Sequence, residues 1–210
     1  MEPAIEAVLA EYEARQAEED VLLETLSAQQ IADRRDELLV SVGRATGELL
    51  NRLVRESRAC ALLELGTAWG YSTIWLAEAA RATGGRVVTV DRSRDKQERA
   101  RGALERTGLA DHVEFWHGDA LDFLHAASQR FDFVLLDVWK DLYIPCVDAL
   151  VDRLASEATI VADNMLQPAM VRLAGARYQA HLRTITGMDT VLLTVGSGLA
   201  VSRYRAASLA

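Results

Sequence analysis

The sequence predicts an α/β fold with a doubly wound, largely parallel sheet. From residue 58 onwards, short apolar runs alternate with amphipathic segments, as strands alternate with helices in this class. The last two apolar runs flank Gly196-Ser197-Gly198, a pattern typical of an antiparallel hairpin. Five strand–helix units followed by a hairpin therefore predict a seven-stranded, Rossmann-like sheet, with extra helices in the first 57 residues.

Length and composition indicate a single domain over residues 1–210, with helices in 1–57 and the sheet-bearing core in 58–210. The formal net charge of −8 disfavours nucleic acid or an anionic membrane as a partner. No apolar run is long enough to cross a membrane, and the N-terminus lacks the pattern of a secretory signal. The two cysteines make no disulfide framework, and Cys60 is expected to be buried, so a cytoplasmic protein is expected.

Apolar residues at helical spacing predict the first helices. Residues 4–30 carry this spacing over the length of one or two helices, and residues 44–57 predict another. The inward positions of this later helix are Leu49, Leu50, Leu53 and Val54. The region before residue 35 has more apolar positions than a small covering segment needs, so these helices are the expected contact of a homodimer.

The core elements follow in order along the chain. Strands are predicted at 60–65, 86–90, 112–116, 131–136, 158–162, 190–195 and 199–205. Helices are predicted at 70–82, 93–107, 120–127, 145–154 and from Pro168 to about residue 180. Ligands of such sheets bind at the carboxyl ends of the parallel strands, so functional residues are expected directly after each strand.

A tight glycine turn follows the first strand. Gly66 and Gly70 flank it, and glycines let the backbone approach a ligand while the next helix offers unpaired N–H groups. The turn matches neither a phosphate loop nor the full dinucleotide pattern, because Ala68 stands in the middle. Asp91, after the second strand, suits ribose hydroxyls, although it could be a helix cap, a role that Ser93 would fill better. Turn and acid together favour an adenosine-containing cofactor.

Asp119 and Ala120 follow the third strand. The Asp119 carboxylate could accept a hydrogen bond from an adenine amino group, or it could cap the helix that begins at Ala120. The sequence favours neither alternative. His117 is most simply a polar residue at the end of a strand.

Oxygen-bearing side chains follow the fourth and fifth strands. Asp137 ends one strand, and Asp163 with Asn164 ends the other. The expected strand order makes these neighbours, so the three side chains can converge on one point. Two carboxylates and an amide suit Mg²⁺, while a helix cap and a turn are the alternatives.

Several stretches together carry a resemblance to a known family. They are ELGTAWGYS at 64–72, the acid Asp91, DVWKDLY at 137–143 and ADN at 162–164. With these the chain resembles the metal-dependent O-methyltransferases that use S-adenosylmethionine, and most of all the catechol O-methyltransferases. The resemblance extends from about residue 37 to the C-terminus. ELLVSVGRATGELL at 37–50 is similar to the segment that closes over cofactor and substrate in that family.

The resemblance implies a role for each matching position. Lys140 would be the general base, and Mg²⁺ would be held by Asp137, Asp163 and Asn164. The methionine end of the cofactor would be lined by the Val42 backbone, Glu64, Gly66, Gly70, Tyr71 and Ser72. Asp91 would bind the ribose. The adenine would be framed by Asp119, Ala120 and Trp139, with Asp137 also at the cofactor.

The implied chemistry accounts for this neighbourhood. A phenol ionises near pH 10, so it is a poor nucleophile at neutral pH. Bound Mg²⁺ would lower the pKa of the phenol, and a lysine beside the dication is pushed toward its neutral, proton-accepting form. The acceptor is expected to be a small phenol, catechol-like or otherwise, behind an apolar gate at Leu38–Val40. The family often has an aromatic residue at the position of Ala68, and Asp189 is the nearest candidate for the late carboxylate that anchors a second hydroxyl.

Two other functions share part of this pattern. An NAD(P)-dependent dehydrogenase of Rossmann type would use the glycine turn and Asp91 but would leave Asp137, Asp163 and Asn164 unexplained. A catalytically silent cofactor-binding homologue would have lost a metal ligand or the base, and all of these residue types are present.

Overall fold

The computed structural model describes residues 1–23, 25–26, 30, 34, 37–39 and 41–206. In this part the α-helices are α1 Pro3–Leu23, α2 Arg44–Ser57, α3 Tyr71–Thr83, α4 Arg94–Arg106, α5 Ala120–Ala126, α6 Tyr143–Val151 and α7 Arg172–Leu182. The strands are β1 Ala61–Leu65, β2 Arg86–Asp91, β3 Val113–His117, β4 Phe131–Leu136, β5 Leu154–Ala162, β6 Met188–Leu193 and β7 Leu199–Arg205. Short 3₁₀ turns lie at Ala110–His112, Lys140–Leu142 and Ala169–Val171.

The strands form one seven-stranded sheet in the order β3-β2-β1-β4-β5-β7-β6. Strands β1 to β5 pair in parallel, and β7 pairs antiparallel with both β5 and β6. This confirms the predicted doubly wound sheet with its closing hairpin. The strand order reverses between β1 and β4, so the carboxyl ends of these two strands flank the crevice in which such sheets bind ligands.

Alternation along the strands divides the core into two layers. On β1, Leu62 faces one layer while Leu63 and Leu65 face the other. On β4, Phe133 and Leu135 share the layer of Leu62. Helices α1 to α4 cover that layer, and α5 to α7 cover the opposite one. Burial of both faces explains why these strands read as nearly continuous apolar runs.

Helix α1 confirms the first of the predicted N-terminal helices. Its residues Ile5, Val8 and Leu9 lie in the core of the same molecule. These positions therefore no longer argue for a homodimer, which stays a prediction. A second helix before residue 30 would fall largely on residues outside the described part of the chain. None of the helices that the structure describes is long and apolar enough to cross a membrane.

Two elements after β4 differ from the prediction. Helix α6 begins two residues earlier than expected, because the 3₁₀ turn Lys140–Leu142 leads directly into it, and it ends at Val151 rather than 154. Strand β5 begins at Leu154 rather than 158. Its first half carries the polar pair Ser156 and Glu157, which conceals the strand in the sequence, yet β7 pairs with it as far as Glu157.

Two further expectations were wrong. The helix expected to begin at Pro168 begins at Arg172, because a 3₁₀ turn comes first. Cys60 is exposed rather than buried. It precedes the first residue of β1, so it lies at the rim of the sheet and not on either buried face.

Candidate active site

The ends of β1, β2, β4 and β5 bring the expected site residues to one edge of the sheet. Leu65 is the register partner of both Val90 and Leu136, and Leu136 is in turn the partner of Ala162. The residues that follow these positions are therefore neighbours across the sheet. They include Gly66, Asp91, Asp137 and Asp163.

The glycine turn is fixed by close packing. Gly66 has φ +106°, and a Cβ there would lie 2.1 Å from the Asp137 carbonyl oxygen. Gly70 has φ +87°, and a Cβ there would lie 2.7 Å from the Ala100 Cβ on α4. Both positions require glycine, because a side chain would meet its neighbour in a backbone conformation that other residues avoid. The backbone of the turn thus lies against the end of β4.

Glu64, on β1, is a fully buried carboxylate held by three hydroxyl groups. Ser72 donates to it at 2.6 Å, Thr73 at 2.5 Å and Thr89 at 2.6 Å. Burial raises the pKa of Glu64 to about 7, although the three donors oppose this shift. A hydrogen bond of 2.7 Å joins the hydroxyls of Thr67 and Thr89, which extends the network into the glycine turn. The sequence analysis missed the three threonines, because a strand or helix threonine gives no signal of its own.

Asp91 joins the glycine turn to the start of α4. One carboxylate oxygen accepts from Ala68 N and the other from Ser93 N, each at 2.8 Å. Ser93 is the N-cap of α4, as the sequence favoured, and accepts from Lys96 N. Since each carboxylate oxygen can accept more than one hydrogen bond, Asp91 retains capacity for ribose hydroxyls.

Asp119 is the N-cap of α5, which confirms the capping role that the sequence left open. The alternative role, a hydrogen bond with adenine, stays a prediction. Asp119 Oδ1 accepts from Leu121 N at 2.8 Å and Asp122 N at 3.3 Å, and its Oδ2 pairs with Arg92. Burial alone would raise the pKa of Asp119, but these three donors outweigh it and lower that pKa. A contact with adenine would have to share an oxygen that already has a partner.

The other residues expected at the cofactor differ in exposure. Ala120 is buried, whereas Trp139 has 58% of its surface exposed and can pack against a ligand. The Tyr71 hydroxyl donates to Glu13 on α1 at 2.7 Å. Because this hydroxyl already has a partner, Tyr71 would contact a ligand through its backbone N–H at the start of α3. Val42 is buried beside the hairpin turn, with its carbonyl oxygen 3.5 Å from where a Cβ of Gly196 would lie.

The acidic residues after β4 and β5 form a coupled pair. Burial raises the pKa of Asp137 despite the nearby Lys140 ammonium. Burial and the Asp137 charge together raise the pKa of Asp163 to about 7. Asn164, which has φ +52°, completes the expected set with an amide. Among the residues that the structure describes, no three His, Cys, Asp or Glu side chains cluster as a metal site, so the expected set of two carboxylates and an amide stays a prediction.

Lys140 lies between these acids and a buried tyrosine. Its Nζ donates to the Tyr143 hydroxyl and, at 3.3 Å, to Asn164 Oδ1. The Tyr143 hydroxyl in turn donates to the Asp163 carbonyl oxygen at 3.1 Å. Burial lowers the pKa of Lys140, opposed by the charges of Asp137 and Asp163. Tyr143 was not predicted as a site residue, although it stands in the quoted stretch three positions after the lysine.

Asp189 does not reach this edge, so its expected role was wrong. It lies on the outermost strand, opposite Arg203, which pairs with Thr159. Thr159 precedes Asp163 by four residues, which is about 13 Å along a strand. Strand β6 runs toward the site edge, as β5 does, but Asp189 is at its beginning and Leu193 at its end, so Asp189 lies far from the site. The hairpin turn 194–198 reaches the edge instead, where Leu166 N donates to Ser197 O at 2.9 Å.

The class of protein follows from this arrangement. A seven-stranded sheet with five parallel strands, an antiparallel hairpin at its edge and a reversal of strand order between β1 and β4 is the arrangement of the Rossmann-like methyltransferases.

Comparisons with known proteins identify the family. A family model described as O-methyltransferase matches residues 13–203. The chain is 37% identical over 129 residues to a catechol O-methyltransferase of Mycobacterium tuberculosis, which covers 61% of this chain and 58% of that protein. It is 33% identical over 172 residues to a catechol O-methyltransferase of Niastella koreensis, with coverages of 75% and 77%. The solved O-methyltransferase from Bacillus cereus in complex with SAH has a TM-score of 0.76 at 27% identity, with coverages of 98% and 92%.

The chain therefore belongs to the O-methyltransferase family, within the S-adenosylmethionine-dependent group related to the catechol O-methyltransferases. The match to the Mycobacterium tuberculosis relative spans less than two thirds of that protein's length.

Proposed function

We propose that this protein transfers a methyl group from S-adenosylmethionine to a hydroxyl of a catechol-like or other small phenolic acceptor, with Mg²⁺ as the metal. Family membership supports the methyl donor. The observation that carries the acceptor side is Lys140, whose amine lies between Tyr143 and Asn164 at the ends of β4 and β5. A lysine in such a place is a base beside an oxygen-binding site rather than a solvated surface charge.

The hydrogen bonds of Lys140 define what it can do. In its neutral form the amine has two N–H groups and one lone pair. The N–H groups donate to the Tyr143 hydroxyl and to Asn164 Oδ1, which leaves the lone pair for the acceptor hydroxyl. The proton of that hydroxyl moves to Nζ, and the oxygen forms a bond to the methyl carbon as the carbon–sulfur bond breaks. S-adenosylhomocysteine and the methyl ether are the products, and positioning accounts for much of the rate.

The acidic pair fits a divalent cation. Burial raises the pKa of Asp137, and burial with the Asp137 charge raises that of Asp163, while the pKa of Lys140 is lowered toward its neutral form. The local negative charge therefore has little compensation from protein groups. Two carboxylates and the Asn164 amide are ligands that Mg²⁺ prefers. When bound, the cation would lower the pKa of the acceptor hydroxyl and orient it.

The residues that would line the acceptor pocket determine which phenols the protein can bind. Leu38 and Leu39, the described residues of the expected apolar gate, are buried and suit an apolar ring, while Val40 lies outside the described residues. The hairpin turn 194–198 carries hydroxyl groups and no carboxylate. A second hydroxyl on the ring would therefore lack the charged anchor expected from the family, so phenols with a single hydroxyl should also be acceptors.

A methylation screen tests this proposal. The purified protein is incubated with S-adenosylmethionine and a panel of phenols with one hydroxyl or two adjacent hydroxyls, with Mg²⁺ or with EDTA, and products are detected by mass spectrometry. Methyl ethers that form only with the metal support the proposal. Methylation that is equally fast in EDTA would remove the metal, and no product from any phenol would remove the acceptor class.

A further inference from the structure

Two side chains of α1 hold a neighbouring segment by its backbone. This covering segment comprises residues 37–39 and 41–43. Both carboxylate oxygens of Glu19 accept from Leu39 N, at 3.1 and 2.9 Å. The Gln16 amide oxygen accepts from Ser41 N at 2.9 Å. Residues three apart lie on one helix face, so a single face of α1 binds two alternate amides of the covering segment.

The bond to Leu39 is built as a buried, charge-assisted contact. Glu19 is 6% exposed, and a carboxylate is retained at such a place only with partners that replace water. Arg15 supplies one from the previous turn of the helix, with Nε 3.0 Å from Glu19 Oε1. The same guanidinium donates to the Glu37 carbonyl oxygen at 3.2 Å. Gln16 is oriented by its own amide nitrogen, which donates to Asp20 at 2.8 Å.

Helix α1 is itself fixed to the glycine turn. The Tyr12 hydroxyl donates to the Trp69 carbonyl oxygen at 2.7 Å. The Arg15 guanidinium lies over the Trp69 ring, 4.1 Å from its centroid, where a cation–π contact adds to the attachment. The covering segment is thus held, through α1, to the turn that follows β1.

A cavity of about 410 Å³ lies beside this turn, between α1 and the start of α4. Its lining residues are Arg15, Glu37, Trp69, Ser93, Asp95 and Arg99. Ser93 follows Asp91 by two residues and donates its amide to the Asp91 carboxylate. The cavity therefore adjoins the ribose end of the expected cofactor site, and Glu37 of the covering segment forms part of its wall.

We propose that Glu19 and Gln16 are positioning residues that hold the covering segment at this wall and thereby set the rate at which the cofactor leaves. This inference rests on the proposed function, because it assumes that the cofactor lies against Asp91 and the glycine turn. Opening the wall would separate two backbone amides from α1 and would uncover the Leu39 side chain, which is buried. The grip uses backbone amides, so it does not depend on which side chains stand at positions 39 and 41.

Residue-specific hydrogen exchange and cofactor release together test whether Glu19 and Gln16 hold the covering segment. Glu19→Ala and Gln16→Ala each remove one side-chain acceptor of the backbone hydrogen bonds, whereas Glu19→Gln retains an acceptor oxygen. Glu18→Ala is the matched control on the exposed face of the same helix. Amide exchange of Leu39 and Ser41 is followed by NMR in the full chain. Release of S-adenosylhomocysteine is measured by surface plasmon resonance on immobilised protein.

We expect Glu19→Ala to speed exchange at Leu39 and to release S-adenosylhomocysteine at least about tenfold faster, because a charge-assisted hydrogen bond is lost. Glu19→Gln should recover part of the effect, and Glu18→Ala should match the wild type. In turnover, KM for S-adenosylmethionine should rise while kcat does not fall.

Two results would overturn the proposed role of Glu19 and Gln16. One is faster exchange at Leu39 with unchanged release of S-adenosylhomocysteine in both Glu19 variants. The other is faster exchange throughout β1 and β4, which would mean that Glu19 supports the fold as a whole. Failure of the proposed function is distinguishable, since the wild type itself would then show no binding of S-adenosylhomocysteine, and both ideas would fall together.

Discussion

Glu64 should make the stability of the ligand-free protein depend on pH. Its folded pKa of about 7 exceeds the ordinary value of 4.5 because the carboxylate is buried. Between these two pH values the folded state binds more protons than the unfolded state, so the contribution of Glu64 to stability falls as pH rises. At 1.36 kcal/mol per pKa unit, the shift corresponds to about 3 kcal/mol, most of it lost by pH 7.

Glu64→Gln isolates this contribution, because glutamine does not titrate. The free energy of unfolding is measured by urea denaturation for both proteins between pH 4.5 and 8. We expect the wild type to lose about 3 kcal/mol relative to the variant as pH rises through this window. Glu98→Gln, an exposed position on α4, controls for the loss of one negative charge.

A second variant tests the cause of the shift. Thr89→Val removes one of the three hydroxyl donors and keeps the shape of the side chain. Because a donor to a carboxylate favours its ionised form, its loss should raise the pKa of Glu64 further and move the window to higher pH. A difference between wild type and Glu64→Gln that stays constant within about 1 kcal/mol across the whole range would refute the reasoning.

Three further predictions concern the site and the thiols. Lys140→Met should lower kcat by ~10²–10⁴-fold with S-adenosylhomocysteine affinity retained, whereas Lys96→Met, the other lysine of the chain, should keep turnover; equal losses would contradict a base. Millimolar Mg²⁺ should raise the melting temperature of the wild type but not of Asp163→Ala, and the same rise in both would exclude this carboxylate from the metal site. An aromatic disulfide reagent should modify the exposed Cys60 of the native protein and spare Cys146, whose pKa burial raises to about 12; modification that survives Cys60→Ser would disprove this.

The fold could be predicted from the sequence because its parallel strands are buried on both faces. This burial produces continuous apolar runs with clear ends, and β4 and β7 were predicted to the residue. Strand β5 was predicted only in its second half, since Ser156 and Glu157 belong to a part of the strand outside the apolar core. Pairing with β7, which no local pattern records, extends the strand there.

The gathering of the candidate site residues could also be predicted, because parallel strands bring their carboxyl ends to one edge of the sheet. Asp189 shows where this reasoning stops. Its position was inferred from order along the chain, whereas the pairing of β6 with β7 places Asp189 at the start of its strand and brings the end of that strand to the edge. The threonines around Glu64 and the grip of Glu19 on Leu39 could not be predicted either. Hydrogen bonds from side chains to buried groups or to backbone amides follow no periodic pattern.

The close approach of Gly66 to Asp137 has a consequence for how donor and acceptor meet. The glycine turn would hold the methyl donor, and the end of β4 would hold the methyl acceptor. The backbones of these two segments meet at a seam between Gly66 and Asp137, with room only for a glycine hydrogen. Under the proposed function, their separation would therefore be set when the sheet forms. Even one added methyl group at this seam would push the halves of the site apart, and a misplacement of about 1 Å can lower a reaction rate roughly 10²-fold. The proposed function thus makes the alignment of the reacting atoms a property of the sheet itself.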